Sequence, residues 1–256
     1  MNEEVLVGGS INKVTKKGNI VFRDGGPWIP AVHKVLNHLN TNGFSYAPKP
    51  LGVDETGREM ISFMPGESMM RPWRQPMFSD DGLVQSAKML RALHDATLEL
   101  EFPNDTQWRI LKAGKTNKQI IRHGDLGPWN TLWTGDKLTG LIDWDLAEPG
   151  DAITDIAQMV AYFIPFMGGG GWQAVGFKDE PDYHHRLKVI LDAYGDIYTE
   201  KDVILALDSL HNQEMARIIK FAAEGIYPWD KWLRDGEVEK SQVEQKWLHE
   251  KFPEYF

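Results

Sequence analysis

The sequence has 256 residues, of which 42% are hydrophobic and 25% are charged, and its formal net charge is -9. The length allows one large domain or two small lobes, and the composition is typical of a globular protein. The absence of cysteine excludes disulfides, thiolate catalysis and cysteine-ligated zinc, and the negative charge argues against a nucleic-acid partner.

Residues 1–66 are predicted to form a small sheet with one helix. Runs rich in β-branched and aromatic residues, separated by turn signals, predict five strands. These runs lie at residues 5–7, 11–14, 19–22, 47–53 and 59–63. A helix is expected over residues 30–40, because apolar residues recur there at helical spacing and Asn42-Gly43 follows as a stop signal.

From residue 67 onward the pattern is mainly helical. Ser79 and Asp80 can cap a helix over residues 80–98, which carries apolar side chains along one face. Two short strands are expected around a turn at Gly135-Asp136. They cover residues 119–122 and 138–142, and further helices are expected at about 152–164, 181–198, 200–224 and 237–250. We therefore expect two domains, residues 1–66 and 67–256.

Two features predict a cytoplasmic protein that does not enter a membrane. Residues 1–4 lack the basic and apolar regions of a secretory signal. The longest apolar stretch, residues 156–167, is broken by Gln158 and Pro165 and is too short to span a bilayer. The acidic composition favours a cationic substrate, although solubility alone also explains it.

The residues with the clearest chemistry lie at 121–130 (IRHGDLGPWN) and 141–145 (LIDWD). Asp125 and Asn130 are placed in a loop after one strand, and Asp143 ends the next, so their side chains can converge. Magnesium prefers oxygen ligands, which Asp143 and Asn130 would supply. Asp125 would remain free of metal and accept the proton of an attacking group. This set predicts phosphoryl transfer to a hydroxyl or an amine.

Residues 123–130 and 142–145 together resemble the paired signature of the aminoglycoside phosphotransferase and choline kinase superfamily, and more distantly the catalytic and metal-binding loops of protein kinases. Residues 148–157 and 64–67 also resemble segments of that superfamily. The resemblance implies an α+β, two-lobed protein-kinase-like fold, with a small five-stranded antiparallel sheet plus one helix followed by a mainly helical lobe.

The resemblance also implies roles for individual residues. Asp125 would be the catalytic residue, and Asn130 and Asp143 would bind Mg²⁺. The nucleotide, ATP or GTP, would lie between the lobes, with its adenine edge at the backbone of Ser62, Phe63 and Met64. The acceptor would be the hydroxyl of a small polar, possibly cationic molecule such as an aminoglycoside, an amino sugar or an amino alcohol.

The sequence departs from the family pattern at the residues that bind the nucleotide phosphates. Family members carry a lysine on the third strand, and the matching position here is Arg23, which is not a geometric copy of lysine. The usual glutamate partner on the following helix is missing, and His33 lies near its place. Residues 8–10 (GGS) are a candidate phosphate-covering loop, or simply a hairpin turn.

Two other readings stay open. The altered Arg23 and His33 positions suit a catalytically weak nucleotide-binding or scaffold protein. A metal-dependent hydrolase could use His123, Asp125, Asp143 and Asp145 as ligands. We expect instead that His123 fixes the loop through its ring nitrogens, while Asp145 is a second metal contact or a surface residue.

Overall fold

The computed structural model describes residues 3–6, 14–168 and 170–256. The candidate phosphate-covering loop at residues 8–10 and most of the predicted strand at 11–14 lie outside the described residues. None of the helices in the described part of the chain combines the length and the apolar character that a membrane crossing requires.

The N-terminal part forms a five-stranded antiparallel sheet with one helix, which confirms the predicted fold. The order of strands across the sheet is β1-β2-β3-β5-β4. The strands are β1 Glu4–Val5, β2 Thr15–Lys17, β3 Ile20–Arg23, β4 Pro50–Val53 and β5 Glu59–Ser62. Helix α1, Ile29–Thr41, follows β3 and has Pro30 in its first turn, where the missing N–H costs no helical hydrogen bond.

The pairing of β3 with β5 brings a charged pair onto the buried face of the sheet. Arg23 lies opposite Glu59, and Val21 lies opposite Ile61. All four side chains are buried. Because side chains alternate between the two faces of a strand, the register that buries Val21 and Ile61 also buries the ion pair two residues further along.

Two smaller sheets follow, and one prediction about them is wrong. Strands β6 Glu67–Ser68, β8 Thr131–Thr134 and β9 Lys137–Leu141 form a three-stranded sheet, while β7 Ile120–Arg122 pairs with β10 Glu148–Gly150. The turn at residues 135–136 therefore joins β9 to β8, and not to the strand expected at 119–122. The prediction missed β8 because this strand directly follows a 3-10 turn, with no break in the sequence between them.

The rest of the chain is mostly helical, as expected. The helices are α2 Asp80–Thr97, α3 Ala152–Phe163, α4 Gly171–Ala174, α5 Tyr183–Tyr194, α6 Glu200–Ala223, α7 Trp229–Arg234 and α8 Glu237–Lys251. Helix α6 begins with a capping box, in which Thr199 and Asp202 each bind the other's backbone N–H. The sequence did not predict α4 and α7, because helices this short show too few turns for a periodic pattern.

By packing, the chain divides into two compact units. One contains Met1–Met69 and Lys88–Ala152, and the other contains Met70–Ala87 and Ile153–Phe256. The expected domains 1–66 and 67–256 are a different division, drawn from the change in sequence pattern, and they stay a prediction. The first unit contains every residue that the sequence assigned to catalysis, to the metal or to the nucleotide.

Candidate active site

The loop between β7 and β8 fixes the Asp125 side chain by contacts within the loop itself. The Asn130 amide nitrogen donates to the backbone oxygen of Asp125 and to its carboxylate, at 2.9 Å in each case. The loop begins at Gly124, whose φ is 79° and where an added Cβ would lie 2.0 Å from the Leu146 carbonyl oxygen. Only glycine fits there, because it tolerates this backbone conformation and leaves the space empty.

His123 joins this loop to the end of β9. Its Nε2 lies 3.0 Å from the Ile142 carbonyl oxygen, and its Nδ1 accepts a hydrogen bond from the Asp125 backbone N–H at 3.4 Å. A further bond of 2.9 Å runs from the Ile142 N–H to the Asn130 carbonyl oxygen. These contacts confirm that His123 fixes the loop through its ring nitrogens.

Asp143 lies two residues after the end of β9 and has an unusual backbone conformation. Its φ of 64° and ψ of 65° lie in the left-handed region, which residues other than glycine rarely adopt. Its side chain is 50% exposed, and one carboxylate oxygen accepts a hydrogen bond of 3.0 Å from Nη1 of Arg23. Strained backbone of this kind is often found at functional sites.

Arg23 is buried and contacts three carboxylates. Its Nε donates to Glu59, its Nη1 to Asp143 and its Nη2 to Asp145, the last at 2.5 Å. Burial alone would lower the pKa of Arg23, but the charges of Asp145, Glu59 and Asp143 outweigh this effect and raise the pKa above its ordinary value. The guanidinium group therefore stays charged in this position.

Asp145 is shared between two arginines. Arg109 donates from Nη1 to the carboxylate oxygen that Arg23 does not contact, at 2.7 Å. The Arg109 guanidinium also lies 4.9 Å from the centre of the Trp28 ring. Asp145 is buried, so the expectation of a surface residue is wrong. Because both of its oxygens accept from arginine, Asp145 serves as a counter-ion in this structure.

The surroundings of Asp125 favour its protonated form. Burial raises the pKa of its carboxyl group, and repulsion from Asp143 adds to this rise. His123 and hydrogen bonds from Asn130 and Trp129 act in the opposite direction without cancelling the rise. A carboxylate with a raised pKa is a stronger base than an ordinary one, as a proton acceptor in catalysis should be.

The structure brings some predicted residues together and leaves others apart. Asp125 is bonded to Asn130, and Arg23 to Asp143. Residues 62–64 take no part in these contacts. The Ser62 N–H donates to the Lys49 carbonyl oxygen and the Phe63 N–H to that of Asn19, each at 2.8 Å.

Two residues of the charged cluster, Glu59 and Arg109, were missed from the sequence, as was the contact that His33 makes with Glu59. Glu59 and Ile61 are buried, whereas Met60 and Ser62 between and beyond them are partly exposed. An acidic residue on the apolar face of a predicted strand was therefore a usable signal. Arg109 offers no such signal, because it lies in an irregular segment between α2 and β7.

The oxygen atoms of Asp143 and Asn130 suit magnesium. Asp143 is half exposed, and only one of its oxygens is bonded to Arg23. Asn130 uses its amide nitrogen to bind Asp125, so its amide oxygen points to no described hydrogen-bond donor. Magnesium in phosphoryl-transfer sites takes one or two such protein ligands and completes its shell with phosphate and water.

The hydrolase reading fits less well. Both ring nitrogens of His123 are engaged within the protein, and both oxygens of Asp145 accept from arginines. Within residues 3–6, 14–168 and 170–256, no group of three or more His, Cys, Asp or Glu side chains is arranged to hold a metal ion.

The sheet with one helix, the helical part that follows and the Asp125–Asn130 loop beside Asp143 define a kinase-like fold of the phosphotransferase type. Residues 105–188 match the model of the phosphotransferase enzyme family (APH). The chain is 36% identical over 201 residues to the trifolitoxin immunity protein of Rhizobium leguminosarum bv. trifolii, which covers 76% of this chain and 75% of that protein. The chain belongs to the phosphotransferase enzyme family.

Solved structures agree with this fold at low sequence identity. A choline/ethanolamine kinase family protein from Mesorhizobium loti superposes with a TM-score of 0.63 and 14% identity, covering 100% of this chain and 91% of that one. The amicoumacin kinase hAmiN, in complex with AMP-PNP, Ca²⁺ and Ami, gives a TM-score of 0.59 and 14% identity, covering 97% and 88%. At this identity the likeness is one of fold.

Proposed function

We propose that this protein transfers the γ-phosphate of ATP or GTP to a hydroxyl group of a small polar molecule. The observation that carries the proposal is the placement of Asp125. Its carboxylate is held by Asn130, and the same loop is bonded to Ile142, the residue before Asp143. A base and two magnesium ligands are thus joined by short contacts, as phosphoryl transfer requires.

Each residue has a distinct role in this proposal. Asp125 orients the acceptor hydroxyl and receives its proton while the oxygen forms a bond to phosphorus and the nucleoside diphosphate leaves. Asn130 and Asp143 hold Mg²⁺, which neutralises phosphate charge when bound. Arg23 contributes positive charge beside Asp143, where the phosphates would lie.

The nucleotide base is assigned to the backbone of Ser62, Phe63 and Met64. Because the N–H groups of Ser62 and Phe63 already donate to neighbouring strands, Met64 is the residue of the three best able to donate to adenine. In this proposal residues 1–66 form the nucleotide-binding lobe and residues 67–256 the catalytic and acceptor-binding lobe. The protein would work in the cytoplasm, without nucleic acid or membrane partners.

The acceptor class rests on charge and on relatives. The net charge of -9 favours a cationic molecule, such as an aminoglycoside, an amino sugar or an amino alcohol. The relative named as a trifolitoxin immunity protein adds toxins to the acceptors that should be screened.

A second candidate function is nucleotide binding with weak or no catalysis. The observation that favours it is the ion pair between Arg23 and Asp143, in which the side chain meant for the phosphates neutralises the side chain meant for the metal. If this pair were too stable to open, neither group would serve phosphoryl transfer.

Calorimetric titration of ATP and GTP, each with and without Mg²⁺, tests both candidates. Magnesium-dependent binding followed by phosphorylation of an acceptor in a screen supports the kinase. Magnesium-dependent binding without turnover, over aminoglycosides, amino sugars, amino alcohols and toxins, supports the weak-binding candidate. Absence of nucleotide binding under all conditions would overturn the proposed function.

A further inference from the structure

The acidic partner of Arg23 comes from a strand and not from the helix. Glu59 on β5 lies directly opposite Arg23 on β3. Opposed residues of an antiparallel pair have Cβ atoms about 5 Å apart, so the backbone pairing alone brings the two side chains together. Helix α1 has no acidic residue that could take this position.

Glu59 uses its two oxygens for two different partners. Oε2 accepts from Nε of Arg23, and Oε1 lies 2.9 Å from Nε2 of His33, which is the contribution of helix α1. Burial would raise the pKa of Glu59, but the hydrogen bond from His33 and the charge and hydrogen bond of Arg23 outweigh it and lower the pKa. Glu59 is therefore ionised and fully engaged.

We infer that Glu59, supported by His33, is the positioning residue that orients the Arg23 guanidinium toward the phosphates of the nucleotide. This rests on the proposed function. The role that the family pattern places on the helix is taken in this chain by Glu59 on strand β5, and the helix contributes His33.

The geometry of the guanidinium group explains why this contact orients Arg23. The group is planar, and a bond at Nε fixes the direction of the plane. Once Glu59 holds Nε, the Nη1 and Nη2 atoms face Asp143 and Asp145. The guanidinium has more N–H groups than these three carboxylates use, so donors remain beside Asp143 for a phosphate oxygen.

If Glu59 only neutralised the charge of Arg23, it would not be needed in this position. Asp145 already supplies a buried negative charge to Arg23, and Arg23 also contacts Asp143. What Glu59 adds is a contact at the opposite end of the guanidinium, from a strand whose register fixes it. The position of Arg23 is thus set by the sheet, and helix α1 contributes to it through the His33–Glu59 bond.

The test measures Mg²⁺–ATP and Mg²⁺–GTP affinity by calorimetry, with thermal melting to show that each variant is folded. Glu59→Gln should weaken binding of the preferred nucleotide by about 10- to 100-fold, the range for loss of a supporting contact. The matched control, Glu55→Gln, removes an exposed acid from the turn before β5 and should leave the affinity unchanged.

The double variant His33→Glu with Glu59→Gln returns the acid to the helix. Because His33 already reaches Glu59, a glutamate at this position can approach Arg23, and binding should recover to within about tenfold of wild type. In a kinetic assay the loss in Glu59→Gln should appear mainly in the KM for nucleotide, since Glu59 does not touch Asp125.

Glu59→Asp covers the case in which Glu59→Gln does not fold. The aspartate keeps the buried negative charge, but its shorter side chain moves the carboxylate away from Nε of Arg23. This variant should fold and still bind nucleotide about tenfold more weakly. A folded Glu59→Gln or Glu59→Asp with wild-type affinity would overturn the inference and leave the proposed function standing. Failure of the wild type itself to bind nucleotide would overturn both.

Discussion

The loop around Asp125 and the cluster around Arg23 lie in the same compact unit but are assembled differently. Asp125 takes its support from Asn130, five positions along the chain, and from the neighbouring His123. Arg23 collects its contacts from β5 and from the residues that follow β9, across long separations in sequence. The first region should therefore determine the chemistry with little effect on folding, whereas the second should affect nucleotide binding and stability together.

The largest expected effect follows from removing the base. Asp125→Ala should lower turnover by about 10³- to 10⁴-fold, because it removes the carboxylate assigned to receive the proton of the acceptor. Nucleotide affinity should change little, since Asp125 is not a proposed metal ligand. Steady-state kinetics and calorimetry with the same protein samples measure the two quantities. Asp105→Ala, at an exposed position, is the control, and a loss of nucleotide binding equal to the loss of turnover would remove Asp125 from its assigned role.

The next effect concerns the metal. Asp143→Ala should weaken nucleotide binding by about 100-fold in the presence of Mg²⁺ and should abolish the difference between titrations with and without Mg²⁺. The reason is that Asp143 is the exposed carboxylate of the proposed metal pair. Calorimetry under both conditions provides the measurement. If the variant retained a full response to Mg²⁺, the metal would have to bind elsewhere.

The cluster around Arg23 predicts a change in stability. Burial raises the pKa of Asp145 in spite of its two arginine partners. Asp145→Asn should still reduce the free energy of unfolding by about 3–5 kcal/mol, because removing one member of a buried charged network leaves the arginines poorly compensated. Urea unfolding measures this change. Asp192→Asn breaks an exposed pair with Lys188 and should have little effect. Equal losses in the two variants would show that burial of Asp145 carries no special energetic weight.

The contrast between short-range contacts at Asp125 and long-range contacts at Arg23 also explains how much of the site the sequence could predict. The loop at residues 123–130 depends on short-range spacing, so the bond between Asp125 and Asn130 agrees with their expected convergence. The partner of Arg23 depends on the register of β3 with β5, which is decided by burial of Val21 and Ile61. No local pattern specifies such a register, so the pairing of Glu59 with Arg23 could not be derived, although the acidic residue on the apolar face of β5 was a usable signal.

Elsewhere in the fold, too, elements with local signals were predictable, and contacts between distant segments were not. Strands β3 to β5 and helix α1 have strong local signals and were predicted, with differences at their ends, whereas β2 at Thr15–Lys17 begins after the strand expected at 11–14. The pairing of β7 with β10 joins segments that are distant in sequence, and it could not be derived from either segment alone. Arg109 lies where the chain has no regular structure, so its contact with Asp145 depends wholly on tertiary packing.

The smallest expected effect is on the pH dependence of stability, and it follows from the raised pKa of Asp125. A carboxyl group whose pKa is higher in the folded protein than in the unfolded chain binds its proton more tightly when folded. Its contribution to stability is complete at pH values below the unfolded pKa of about 4, and it is lost as the pH rises through the folded pKa. Asp125 therefore stabilises the folded protein less at pH 7 than at pH 4.

Asp125→Asn should for this reason melt at a higher temperature than wild type at pH 7, by a few degrees, and the two proteins should approach each other as the pH falls toward 4. The amide retains the shape of the carboxylate and can still bind Asn130, so packing is not altered. Asp105→Asn should show no pH-dependent difference, because Asp105 is exposed. If Asp125→Asn instead melted below wild type at pH 7, the ionised carboxylate would be stabilised by its contacts with Asn130 and Trp129. The loop would then support the folded state as well as the chemistry, and the contrast with the Arg23 cluster would be weaker than the geometry indicates.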